Sequence, residues 1–155
     1  MKPIAILCLG SAHGDDSVGW RVAEQLSSYR WPDVRIEALH NPGAGLLTQL
    51  NQYRRVLVVD ACDCCAAAGS LFHYQQPVLL QQPESGTLSS HHVSLPALLQ
   101  LARQLSLPLP PMELFAVQVA ECQPMAELSP AVAAALPKLV EQISATVEEA
   151  VRQHV

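Results

Sequence analysis

The segment VLVVD, Val56–Asp60, decides how the rest of the chain is read. Its four consecutive apolar residues show no alternation with polar ones, so both faces of the strand they form must be covered. That is the pattern of a central strand in a parallel sheet flanked by helices. The run ends on a carboxylate, which is poorly solvated there unless it pairs, caps or binds a cation. The plainer role for Asp60 is a turn-forming Asp that bonds its own backbone, and Asp63 fills that role equally well.

Outward from this segment, apolar runs bounded by turn residues alternate with helical periods. Strands are expected at about Pro3–Leu9, Val34–Leu39, Arg55–Asp60, Ser70–Tyr74 and Glu113–Val119. Val18, Val22 and Leu26 mark one helix, and Leu46, Leu47 and Leu50 a second. Leu95, Leu98, Leu99 and Ala102 mark a third, capped by Ser94. Ser129 and Pro130 open the last, with Val132, Leu136, Val140, Ile143, Val147 and Val151 along one side. Pro137 is expected to kink that helix or split off its first turns. The fold class is α/β: three layers, an about five-stranded, largely parallel twisted sheet with helices on both faces. Residues 1–155 are expected to form a single domain.

Composition narrows the function. Half of the residues are hydrophobic and 15% are charged, enough apolar surface to offset the ordering entropy of folding. A net charge of −5, without clustered Lys and Arg, argues against nucleic acid as a partner. No apolar stretch approaches the ~20 residues of a membrane span. The opening MKPIAILCLG lacks the length and cleavage site of a signal peptide, so the expected location is cytoplasmic. Cys8, Cys62, Cys64, Cys65 and Cys122 are odd in number and irregular in spacing, which fits reduced thiols better than a disulfide framework.

Ligands of open α/β sheets bind at the carboxyl ends of the strands. Asp15 and Asp16 follow the first strand, His40 ends the second, Asp60 ends the third, and His91 and His92 lie in the loop LSSHHVSL ahead of a helix. One acid of the Asp15–Asp16 pair suffices to cap the helix that follows, at about 0.5–2 kcal/mol, so the second is free for other work. Two carboxylates and an imidazole make a mixed ligand set for a divalent transition ion, with coordination positions left open for chemistry. CDCC, residues 62–65, lacks the second cysteine pair that a structural zinc site needs, and no His partner for a catalytic thiol is legible. No GxSxG element is present, and two acids at the helix start would repel a phosphate.

Taken together, the stretches ILCLGSAHGDDSVGW, NPGAGLLTQL, VVDACD, SSHHVSL and LSPAVAAALPKLV resemble, nearly end to end, the hydrogenase maturation endopeptidases, the family that trims the C-terminal extension from the large subunit of nickel-iron hydrogenases. ILCLGSAHGDDSVGW is similar to that family's opening strand, Gly-rich turn and D-[DE]-G-x-G element; NPGAGLLTQL to its G-x-x-G-x-x-L element; VVDACD to its VVDA-x-D strand end. SSHHVSL resembles its S-x-H-x-x-x-L loop, and LSPAVAAALPKLV its closing LSP-x-V-x-x-x-LP-x-LV. The resemblance implies that Asp16, Asp60 and His91 are the metal-binding and catalytic positions while Asp15 caps the helix. The spacing to Leu95 favours His91 over His92, which sits where relatives often carry Asp. The metal implied is nickel carried by the partner, a hydrogenase large-subunit precursor, with cleavage gated by that ion. A nickel-recognising chaperone of the same fold that never cleaves is the alternative. Cys8 replaces the first Gly of the family's G-x-G-N, Ser11 its Asn and Ser17 the Gly after the acids. The loop is one residue shorter, and His13 within it is a further candidate for binding.

Overall fold

The computed structural model describes residues 2–40, 45–75, 95–120 and 127–153. Five strands are present among them: β1 (Ile4–Leu9), β2 (Val34–Leu39), β3 (Arg55–Cys62), β4 (Leu71–Gln75) and β5 (Met112–Gln118). The helices are α1 (Val18–Leu26), α2 (Leu46–Leu50), α3 (Leu95–Gln104) and α4 (Pro130–Arg152), and a 3₁₀ turn, Gly14–Ser17, leads into α1. The strands lie in the order β2-β1-β3-β5-β4, parallel except for β4, which is antiparallel to β5.

Residue alternation on the central strands explains the three layers. Ile4, Ile6, Leu57, Val59 and Phe115 pack beneath α1 and α4, against Val18, Val22, Leu26, Val132, Leu136 and Ile143. Ala5, Leu7, Val56, Val58 and Leu114 pack on the opposite side against Leu47 and Leu50 of α2 and Leu98 and Leu99 of α3. VLVVD is therefore covered on both faces, as its composition requires. Among the described residues, no helix is long and apolar enough to cross a membrane.

Two expectations are corrected. Asp60 does not end its strand, because β3 continues to Cys62 alongside β5, pairing Asp60 with Ala116, Ala61 with Val117 and Cys62 with Gln118. Pro137 does not split the last helix, which runs unbroken from Pro130 to Arg152. Pro137 lies on the exposed face, where water can reach the Ala133 carbonyl that its ring leaves without an N–H partner. Meanwhile Leu136, Leu139, Val140 and Ile143 hold the opposite face to the sheet. The Ser94 cap expected for α3 lies outside the described residues.

The chain order places a crevice. From β1 it crosses to β2 on one side, then returns to β3 on the other, so the winding reverses between β1 and β3. In doubly wound sheets this reversal opens a cleft at the carboxyl ends of the two strands. The β1–β3 ladder stops at the pair Cys8–Val59, one residue short of Asp60.

Candidate functional site at the β1–β3 switch point

Leaving β1, the chain turns tightly. The Gly10 N–H donates to the Leu39 carbonyl at 3.1 Å, and the Ser11 N–H donates to the Asp16 carbonyl at 3.1 Å. A Cβ at Gly10 would lie 2.4 Å from that Asp16 oxygen, so only glycine permits the approach. Gly14, at φ +50°, starts the 3₁₀ turn, and the buried Ser17 hydroxyl donates back to its carbonyl at 2.6 Å. Ser17 thus contributes an internal bond of the turn. Helix α1 then lies so close to β1 that a Cβ on Gly19 would meet the Leu9 carbonyl oxygen at 2.2 Å.

Asp60 is 4% exposed, and its Oδ1 accepts the Ala61 N–H at 2.8 Å. Burial pushes its carboxyl up to about 8; the Ala61 bond opposes that rise and the nearby negative charge of Asp16 adds to it. Asp16 and Asp60 are thus electrostatic neighbours at the switch point, 44 positions apart in sequence by their numbering. A desolvated carboxylate beside a second carboxylate favours either a proton or a cation, so this pair suits a divalent ion.

Asp15 does not cap α1. Its carboxylate accepts the Ala120 and Ser129 N–H groups at 2.8 and 2.6 Å and the Ser129 hydroxyl at 2.8 Å. α1 begins without a side-chain cap, because it continues directly from the 3₁₀ turn.

The remaining candidates differ in setting. His13 is exposed, and its backbone N–H donates to Ser11 Oγ at 3.2 Å. His40 is exposed beyond β2, edge-on to Trp20, whose indole N–H donates to the Leu39 carbonyl at 3.2 Å. Burial pushes the Cys8 thiol up to about 12. Burial also raises Cys62, with neighbouring Cys64, Asp60 and Asp63 adding to the rise, so neither buried thiol is primed as a thiolate nucleophile. Among the described residues, no three His, Cys, Asp or Glu side chains gather into a metal-binding group. His91, His92 and Cys122 lie outside the described residues.

Gln118 escaped the sequence reading. It is 3% exposed at the end of β5, where its Oε1 accepts the Cys64 N–H at 2.8 Å and its Nε2 donates to Asp63 Oδ1 at 3.2 Å. It fixes the loop that follows β3. The signal was present: a polar residue closing the apolar run LFAV, Leu114–Val117, the same feature that singled out Asp60.

A family model described as hydrogenase maturation protease matches residues 20–146. The chain belongs to the hydrogenase maturation protease family. No curated protein matches it. Among solved structures, the hydrogenase maturating endopeptidase HybD from Escherichia coli superposes with a TM-score of 0.83 at 23% identity, covering 96% of this chain and 93% of that one. A hydrogenase 2 maturation peptidase from Thaumarchaeota archaeon SCGC_AB-539-E09 gives 0.70 at 24% identity, covering 95% and 99% of the two chains. The [NiFe] hydrogenase maturation protease HybD from Thermococcus kodakarensis gives 0.73 at 18%, covering 93% and 98%. These likenesses carry the fold, while the family match ties the chain to maturation proteases. The matched stretch includes Asp60 and begins four residues after Asp16.

Proposed function

We propose that this protein is the endopeptidase that removes the C-terminal extension from a nickel-loaded NiFe hydrogenase large-subunit precursor, working in the cytoplasm. Asp16, Asp60 and His91 are the residues proposed to meet the nickel, which arrives as part of the substrate. The observation that carries this reading is Asp60, a buried carboxylate beside a second carboxylate at the sheet's switch point. Burial raises its pKa and so favours the protonated form, from which a cation would displace the proton.

In this reading Asp16 and Asp60 bind one side of the ion and orient it, leaving the other side to the precursor. The ion then polarises the scissile carbonyl or acidifies a bound water. Burial around Asp60 excludes competing water and strengthens each electrostatic contact.

The test is processing of precursor by wild type and by folded Asp16→Asn and Asp60→Asn, followed by intact mass. The wild type is expected to release a short C-terminal peptide and both variants none. Normal processing by folded Asp16→Asn would remove that residue from the site. A stable complex of wild type and precursor without cleavage would favour the chaperone.

A further inference from the structure

Asp15 stands beside the acid that neighbours Asp60, yet its own carboxylate is committed elsewhere. Oδ1 accepts the Ser129 N–H, and Oδ2 accepts both the Ala120 N–H and the Ser129 hydroxyl. Ala120 lies just beyond β5, and Ser129 is the N-cap of α4, its Oγ also accepting the Val132 N–H at 3.5 Å. One side chain therefore joins the turn after β1 to elements 105 and 114 residues away.

Local bonds give the turn its shape. Ser17 Oγ donates to the Gly14 carbonyl, and the Asp16 N–H donates to the His13 carbonyl at 3.0 Å. Neither bond reaches β5 or α4. Asp15 makes that connection, and the chemistry demands a carboxylate: three donors converge on it, and a carboxylate is acceptor-only. An amide of the same shape would present N–H to N–H at one of these contacts.

We infer that Asp15 is a positioning residue: by tying the acid turn to the exit of β5 and the start of α4, it holds Asp16 toward Asp60. The inference rests on the proposed function for its effect on rate, while its structural content stands apart from it. Misplacing a group at the reacting centre slows the step at the centre and leaves docking of a large partner intact.

The experiment measures processing of nickel-loaded precursor by wild type, Asp15→Asn, Ser129→Ala and the double variant, per folded molecule. Asp15→Asn is expected to lower the rate at saturating precursor by about 10–100-fold with little change in the half-saturating concentration. Ser129→Ala should lower the same parameter less, and add nothing to Asp15→Asn. A saturating rate equal to wild type, or a loss confined to the half-saturating concentration, would overturn the inference. Should Asp15→Asn fail to fold, Ser129→Ala alone decides by the same criterion. Carboxyl carbon resonances of Asp16 and Asp60 give a readout independent of cleavage. They should move in Asp15→Asn or, if that variant does not fold, in Ser129→Ala; unchanged resonances would refute the positioning role even where wild type cleaves nothing.

Discussion

The side-chain oxygen of Gln118 accepts the backbone N–H of Cys64 at 2.8 Å across 54 residues of chain, and the same oxygen takes the Ala66 N–H at 3.4 Å. The loop after β3 thus hangs from the end of β5. Gln118→Leu keeps the bulk but removes the acceptor of both N–H groups, leaving them to water and the loop without its tie to β5. Amide hydrogen exchange at Cys64 and Ala66 is expected to accelerate in this variant while Val58 and Leu114 in the core stay protected. Unchanged exchange at Cys64 would show that the loop is held by other means.

Stability should depend on pH through Asp60. Its folded-state pKa is raised from 3.8 to about 8, burial being the main cause, so between those values the folded chain binds a proton that the unfolded chain has released. Unfolding free energy therefore falls as pH rises through this window; the penalty is absent below about pH 4 and complete above about pH 8. Asp60→Asn removes the penalty and keeps an acceptor for the Ala61 N–H. Denaturant titrations should find the variant more stable than wild type at pH 8, with the difference shrinking as pH falls and gone near pH 4. A constant difference across that range would be the contrary result.

Gly19 and Gly45 make a matched pair. Gly19→Ala forces a Cβ into the Leu9 carbonyl and must push α1 off β1, whereas a Cβ at Gly45 meets nothing within 4 Å. Thermal or chemical unfolding should show a loss of about 1–3 kcal/mol for Gly19→Ala and a change within about 0.5 kcal/mol for Gly45→Ala. Equal effects would mean that the α1–β1 approach is looser than the backbone distances indicate.

Much of this was legible because burial writes itself into composition. VLVVD named a central strand, and the spacing of Val18, Val22 and Leu26 named the helix that covers it. Strand ends were less legible: whether β3 stops at Asp60 or Cys62 depends on how far β5 runs beside it, which no local pattern encodes. That the last helix runs through Pro137 without splitting was not legible either, because the rule for interior prolines ignores which face they occupy. At the site, the Asp15–Asp16 pair was conspicuous, but the division of labour was not. Local sequence offered the start of α1 as the natural partner for Asp15, and its real partners, Ala120 and Ser129, are supplied only by the fold. Gln118 was hidden for the same reason, since its bonds reach a loop more than fifty residues away.

The most direct test of the central claim is the intact mass of a hydrogenase large-subunit precursor after incubation with this protein, prepared once with nickel and once without. The prediction is loss of a short C-terminal peptide from the nickel-loaded precursor alone. Equal cleavage of both forms, or of neither, would contradict a protease that recognises its substrate through the metal it carries.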